Sequence, residues 1–283
     1  MNLYERVQRA FQVRFRSQPD FVVRAPGRVN LIGEHTDYND GFVLPMAIEH
    51  AVWIALRPRR DQQVLIHSLD YEQTVSFSVE GFRRGKKRWG EYIKGVARAL
   101  QQQGYPLTGW EGVMCGNVPI GAGLSSSAAT EMAAASAFAA AGEFEIPPRE
   151  MALAGQWAEN AWVGVHCGIM DQMVSAAARE GHALFLDCRT LETEDVPMPD
   201  GVAVVIMDTS TRRGLVGTAY NERRAQCEAA ARHFGVQALR DVSPEWLANG
   251  SAGLDDVTLR RARHVVTENQ RVLEAVQAMR QGD

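Results

Sequence analysis

No apolar run in this sequence approaches the roughly 20 residues that a membrane span needs, so no transmembrane helix is expected. Nor is there an excess of positive charge. Lys and Arg number 30 against 34 Asp and Glu, a net charge of −4, which leaves no electrostatic footprint for nucleic acid or an anionic membrane. Cysteine is sparse. Cys115, Cys167, Cys188 and Cys227 lie far apart without ligand-pair spacing, which fits free thiols in a reducing cytoplasm and excludes a zinc site of the usual spacing. Internal repeats, low-complexity tracts and long linkers are absent too. What is present is 283 residues, 46% of them apolar, enough for one large or two ordinary domains with a real core.

The opening "MNLYERVQRAFQVRFRSQPD" carries Arg6, Arg9, Arg14 and Arg16 with little acid. A presequence shares that character, but Leu3, Val7, Ala10 and Phe11 at helical spacing predict an amphipathic helix facing inward. "FVVRAPGRVNLIG" and "GFVLPMAIEHAVWIALRP" predict strands around the turn signal Asn39-Asp40-Gly41. "DQQVLIHSLDYEQTVSFSV" predicts two more. "WGEYIKGVARALQQQG" predicts a helix stopped by Gly104, and "GWEGVMCGNVPIGAG" a strand leaving through a glycine loop. Helices follow, one closed by Gly142 and one opened by Pro148. "HALFLDC" and "VAVVIMDTS" predict strands, and helices are expected from Arg213 to Phe234 and from Leu259 to Met279. A composition shift near Thr190 divides the chain into expected domains 1–190 and 191–283.

"GNVPIGAGLSSSAATEM" is the strongest local signal. A glycine loop between strand and helix turns successive N–H groups toward an anion, and the helix dipole adds to the attraction. Gly121 and Gly123 let the backbone approach phosphate oxygens, and Ser125, Ser126 and Ser127 supply hydroxyls; a serine that simply caps an Ala-rich helix is the plain alternative. The Lys-Ser/Thr pair of the P-loop and the third glycine of the dinucleotide fingerprint are missing. Asp171 after Gly168 reads alone as a first-turn aspartate, Glu159 as a solvated helix residue, His35 as a structural histidine and Tyr220 as packing. Arg28, in a strand otherwise fit for burial, wants a carboxylate or phosphate partner. Together, a phosphate cradle, an inward arginine and separated acids are the parts of a phosphoryl-transfer site. The polar groups of "GEHTDYND" suit a ligand with many hydroxyls.

"GRVNLIGEHTDYN" resembles the galactokinase signature, and "VPIGAGLSSSAA" resembles the second motif of the wider GHMP kinase family. "GVHCGIMDQM" and "TSTRRGLVGTAYNERRAQCE" are similar to galactokinase segments as well. The resemblance implies an α+β GHMP kinase fold: a ribosomal-S5-like N-terminal domain and an incomplete ferredoxin-like C-terminal domain, with the active site between them. It implies ATP-dependent phosphorylation of α-D-galactose with Mg2+. It assigns Asp171 to the nucleophilic hydroxyl and Arg28 to charge at the transition state. Glu34, His35, Thr36, Asp37, Gly168 and Tyr220 fall to the sugar. Gly121, Ala122, Gly123, Leu124, Ser125, Ser126 and Ser127 fall to the phosphates, Ser127 and Glu159 to magnesium, and Trp89 to the adenine. His166 and Ala219 stand where the family would place Asn and Glu. The family's third, glycine-rich motif is not found, so the resemblance implies a chain shortened at its C-terminus, with apolar helix faces left uncovered and self-association expected. A related kinase for N-acetylgalactosamine or arabinose, and a silent sugar- and ATP-binding regulator, are the alternative readings.

Overall fold

The computed structural model describes residues 1–86, 88–209 and 216–282. Contacts divide it into two compact units that interleave along the chain. The first comprises Met1–Gly27, Ile48–Val165 and Asp171–Ala176; the second comprises Arg28–Ala47, His166–Met170 and Ala177–Asp283. The sequence-based division, by contrast, cuts the chain once.

In the first unit, helix α1 (Leu3–Phe15) begins with a capping box in which Asn2 and Glu5 satisfy each other's backbone N–H groups. Its Val7 and Phe11 are buried, as the spacing predicts, against Ala55, Val113 and Cys115. Strands β1 (Phe21–Ile32) and β2 (Phe42–Pro58) pair with each other and contribute residues to both units. The outer half of β2 pairs antiparallel with β5 (Trp110–Gly116), which runs parallel to β3 (Gln63–Ser68). β3 pairs in turn with β4 (Gln73–Ser78). Four helical segments pack together in this unit. These are α2 (Arg88–Gln102), α3 (Ser126–Gly142), α4 (Pro148–Trp157) and a π-helical turn, Ala158–Val163. α3 is mostly alanine and is buried on nearly every side, so its neighbours approach closely. Its closure differs from the expected Gly142: the left-handed residue is Glu143, at φ 54°.

In the second unit, the start of β2 pairs with β6 (His182–Asp187), and β6 pairs with β7 (Thr193–Pro197), a short polar strand that the sequence pattern did not reveal. Helices α6 (Val216–His233), α7 (Pro244–Gly250) and α8 (Asp256–Gln281) follow. The expected helix start at Arg213 and the last residue of the expected strand, Ser210, lie outside the described residues, as does the side chain of Ala219. The apolar faces expected to be uncovered are covered. Cys227, Ala230 and Phe234 of α6 share a core with Leu247 of α7 and Ala262, Val265 and Val266 of α8. Val272 and Val276 of α8 pack with Leu44, Ala183 and Val196. Single exposed residues remain, Trp246 on α7 and Leu273 on α8, but the exposed apolar run lies elsewhere. Residues 202–209 form no strand, and Val202, Val204, Val205, Ile206 and Met207 are all exposed. An apolar β-prone run becomes a strand only where another strand is available to pair with it. No helix among the described residues is long and apolar enough to cross a membrane.

Candidate active site

α5 (Met170–Ala177) carries Asp171 in its first turn. Ser125, expected in the phosphate loop, is tied to this aspartate. Ser125 stands at the N-cap position in a left-handed conformation, φ 60°, and makes no capping hydrogen bond. Its Oγ donates instead to Asp171 Oδ2 at 2.5 Å. A non-glycine residue in that conformation costs about 1–2 kcal/mol. The strain is sustained because the hydroxyl is committed to the aspartate rather than to the helix end.

The loop before Ser125 turns at Gly121 and Gly123, with φ of 77° and 76°. Nothing lies within 4 Å of the position a Cβ would take at either residue. Left-handed geometry, rather than crowding, therefore calls for glycine here, and it leaves open space over the loop. Ser126 and Ser127 line a cleft of about 260 Å³, together with Tyr71, Trp89 and Tyr92. Trp89 is nearly buried and stacks on the more exposed Tyr71, their ring centroids 5.8 Å apart and 5° from parallel. Trp89 Nε1 donates to Gln73 Oε1 at 3.3 Å. Tyr71 and Tyr92 carried no motif that singled them out.

Glu159 is buried at 7% exposure, so its reading as a solvated helix residue fails. It sits in the π-helical turn, an irregularity that often marks a functional position. Gln172, next to Asp171, donates through Nε2 to Glu159 Oε2 at 2.9 Å and to Glu131 Oε2 at 3.0 Å. Glu131 is fully buried, and burial, followed by the charge of Glu159, holds its carboxyl well above the usual range. Among the described residues no group of three or more His, Cys, Asp or Glu forms a metal cage. A magnesium ion here would take the hydroxyl of Ser127 and the carboxylate of Glu159, both hard oxygen donors, and complete its shell with phosphate oxygens and water. That is the usual pattern for this ion.

The second unit holds the remaining sequence-expected residues. Arg28 is half-buried on β1. The bend after β1 is fixed mostly from elsewhere. Gly33 N and Glu34 N donate to Glu268 Oε1 at 2.8 and 3.3 Å. Burial works to raise the Glu268 pKa, but the Gly33 N–H and Arg271 outweigh it and hold the carboxyl below its usual range. His264 Nε2 lies 2.7 Å from Glu34 O, and Phe42 N donates to Asn269 Oδ1 at 2.9 Å. None of these α8 residues was visible as a functional residue in the sequence.

Within the bend, Thr36 is fully buried, with its hydroxyl against Gly33 O and Phe42 O at 2.8 and 2.6 Å. It belongs to the frame of the bend and does not offer its hydroxyl outward. His35 Nδ1 lies 2.9 Å from Tyr38 Oη, and the rings of His35 and Tyr38 both pack against Tyr220, at 5.9 and 5.3 Å between centroids. Glu34 is exposed. Asp37 and Gly168 touch: a Cβ on Gly168 would stand 2.0 Å from Asp37 Oδ2. Glycine at 168 is thus what lets the Asp37 carboxylate occupy its place.

A galactokinase galactose-binding signature matches residues 9–58, and a GHMP kinase N-terminal domain matches residues 91–179. A Lactococcus lactis galactokinase, solved complexed with galactose, superposes with a TM-score of 0.90 at 31% identity, over 99% of this chain and 75% of its own. The chain belongs to the galactokinase branch of the GHMP kinases. More distant GHMP kinases share the fold alone. Phosphomevalonate kinase from Streptococcus pneumoniae, solved with phosphomevalonate and AMPPNP, matches at TM-score 0.60 and 12% identity, over 93% of this chain and 75% of its own. Mevalonate kinase from Methanococcus jannaschii matches at 0.57 and 15%, over 91% and 79%. The expected α+β GHMP kinase fold therefore stands, as does the reading of this galactokinase-branch chain as a sugar kinase, shorter than the Lactococcus lactis protein it matches.

Proposed function

We propose that the chain transfers the terminal phosphoryl group of ATP to the anomeric hydroxyl of α-D-galactose, giving galactose 1-phosphate and ADP. The observation that carries this reading is the galactose-binding signature, which spans the bend bearing His35 and Asp37. The Lactococcus lactis relative holds galactose and the Streptococcus pneumoniae relative holds AMPPNP, which supports a sugar and a nucleotide as the two ligands.

In this mechanism Asp171 accepts the proton of the 1-hydroxyl as that oxygen bonds to the γ-phosphorus, and the bond to the bridging oxygen breaks as ADP leaves. The Ser125 hydroxyl on Asp171 Oδ2 keeps the carboxylate in one orientation. Arg28 places a guanidinium at the charge of the transferring group. The N–H groups of Gly121 to Ser127 receive the phosphates, and the Tyr71–Trp89 cleft receives the base. Ser127 and Glu159 would hold Mg2+, which when bound draws charge from the phosphate oxygens. Glu34, His35, Asp37 and Tyr220 read the sugar hydroxyls, with Gly168 giving Asp37 its room.

A second reading, binding of both ligands without turnover, is favoured by the exposed run from Val202 to Met207, which joins no sheet. One experiment separates the two. ADP release is measured with galactose, N-acetylgalactosamine, arabinose and glucose, beside calorimetric binding of galactose and AMPPNP. Galactose-dependent ADP release supports the kinase. Binding of both ligands with no ADP supports the silent binder. ADP release only with another sugar of the panel overturns the galactose assignment.

A further inference from the structure

Three buried polar side chains from three segments meet behind Asp171. Gln172 of α5 is fully buried, and its single amide nitrogen donates to one carboxyl oxygen of Glu131 on α3 and to one carboxylate oxygen of Glu159 on the π-helical turn, at 3.0 and 2.9 Å. Glu131 lies four residues after Ser127, so the two share a face of α3, one turn apart. The amide therefore links the carboxylate of Glu159 to the helix that carries Ser127. Gly155 belongs to the arrangement: a Cβ there would stand 2.5 Å from Met132 Cε, 3.0 Å from Gln172 Cγ and 3.2 Å from Glu131 Oε2.

The chemistry of the linker is specific. A lysine or arginine at 172 would neutralise Glu159 and compete with a cation for it. A carboxylate would repel it. A neutral amide donates to Glu159 and leaves its charge intact. Packing alone does not account for the group, because Glu131 is fully buried and its Oε1 has no hydrogen-bond partner among the described residues. A buried carboxyl with an unpaired oxygen weakens a fold.

We propose that Gln172, anchored by Glu131, is a positioning residue that sets the Glu159 carboxylate for a magnesium ion carried on the nucleotide phosphates. The proposal rests on the phosphoryl-transfer reading above and assigns Gln172 and Glu131 no contact with substrate.

The test is calorimetric binding of AMPPNP with Mg2+ and, separately, with EDTA, for the 283-residue chain and three variants. The gain in affinity that Mg2+ confers is the readout. Gln172→Met should lose about tenfold of that gain, as changes in groups that support metal ligands usually do. Glu131→Met should lose part of it. Glu131→Gln, which keeps an acceptor for the amide, should retain it. Affinity in EDTA should be the same in all four proteins, within about twofold. If Gln172→Met does not fold, the Glu131→Met and Glu131→Gln pair decides the question. An undiminished Mg2+ gain in Gln172→Met and Glu131→Met overturns the proposal. So does an equal loss with and without Mg2+, which marks a merely structural role. An unaltered chain that gains no AMPPNP affinity from Mg2+ overturns the kinase reading and this proposal together, a pattern distinct from failure of the variants alone.

Discussion

The glycine loop before α3 and the bend after β1, proposed to receive phosphate and sugar, both pass through left-handed backbone, and they are tied differently. The loop turns on Gly121, Gly123 and Ser125, and the Ser125 hydroxyl ties it to Asp171, 46 residues away. The bend turns on Gly33, His35 and Asp40, at φ of 100°, 65° and 55°, and is tied by Glu268, His264, Asn269 and Arg240, all 200 or more residues away in sequence. The difference follows from what each segment presents. A loop that offers N–H groups works best without side chains, so glycine supplies the geometry at no steric cost. At His35 and Asp40 the bend uses residues that resist the geometry, and tethers from distant segments help to hold it. The proposed phosphate end is therefore tethered from α5, and the proposed sugar end from α8 and Arg240.

The largest expected effect tests Asp171, to which the proposed mechanism gives the proton of the 1-hydroxyl. Asp171→Asn keeps the shape of the residue and removes its basicity, so turnover should fall by about 100-fold or more. Binding of galactose and of AMPPNP should persist. Near-normal kcat in that variant would remove Asp171 from the chemistry.

Gly168→Ala breaks the comparison on the sugar side. Its methyl would overlap the Asp37 carboxylate, at 2.0 Å from Oδ2, and must displace it. Galactose affinity should fall about tenfold, the scale of one lost charged hydrogen bond. AMPPNP affinity should hold, because the phosphate loop is tied within its own unit. Equal losses for the two ligands would show that the ends are not independently built.

Glu268 tests the remote tether. Glu268→Ala leaves the Gly33 N–H buried without its acceptor, a cost of about 1–3 kcal/mol, and sugar binding should weaken with stability. Because the folded carboxyl is held below its usual pKa, its contribution is present above the unfolded value of about 4.3 and is lost as pH falls through the folded value. Urea denaturation at steps from pH 7 to pH 3 should therefore show the gap between the unaltered chain and Glu268→Gln closing in acid. A gap that is constant with pH would mean that the charge of Glu268 plays no part.

Sequence legibility follows the same division between local and remote control. The strands β1 to β6 and the helix after the phosphate loop were legible because alternation, glycine placement and helical spacing are local signals. So was the grouping of Asp37 with Gly168, through the motif resemblance. Illegible were the outcomes decided by a distant partner. By resemblance Ser125 falls to the phosphates, with a helix cap as the alternative, yet its hydroxyl goes to Asp171; Thr36 falls to the sugar, yet its hydroxyl closes the bend. Glu268 lies 235 residues from the N–H it accepts. The run from Val202 to Ile206 has strand composition, but pairing depends on a neighbour that composition cannot supply.

The smallest expected effect sharpens the comparison most finely. Gly121→Ala places a Cβ where nothing lies within 4 Å, so the change acts through backbone conformation alone. At φ 77°, alanine pays the left-handed penalty of about 1–2 kcal/mol that Ser125 and His35 already bear. Those two residues have hydrogen bonds that help hold their conformation; an alanine at 121 has none. Stability should fall by about 1 kcal/mol, visible in urea denaturation, and AMPPNP affinity should change no more than a few-fold if the loop keeps its path. Galactose affinity should be unchanged. A tenfold loss of AMPPNP affinity at unaltered stability would mean that the methyl blocks the approach of phosphate. The glycine would then serve closeness to the ligand rather than the turn, and the open space above Gly121 would be part of the binding surface itself.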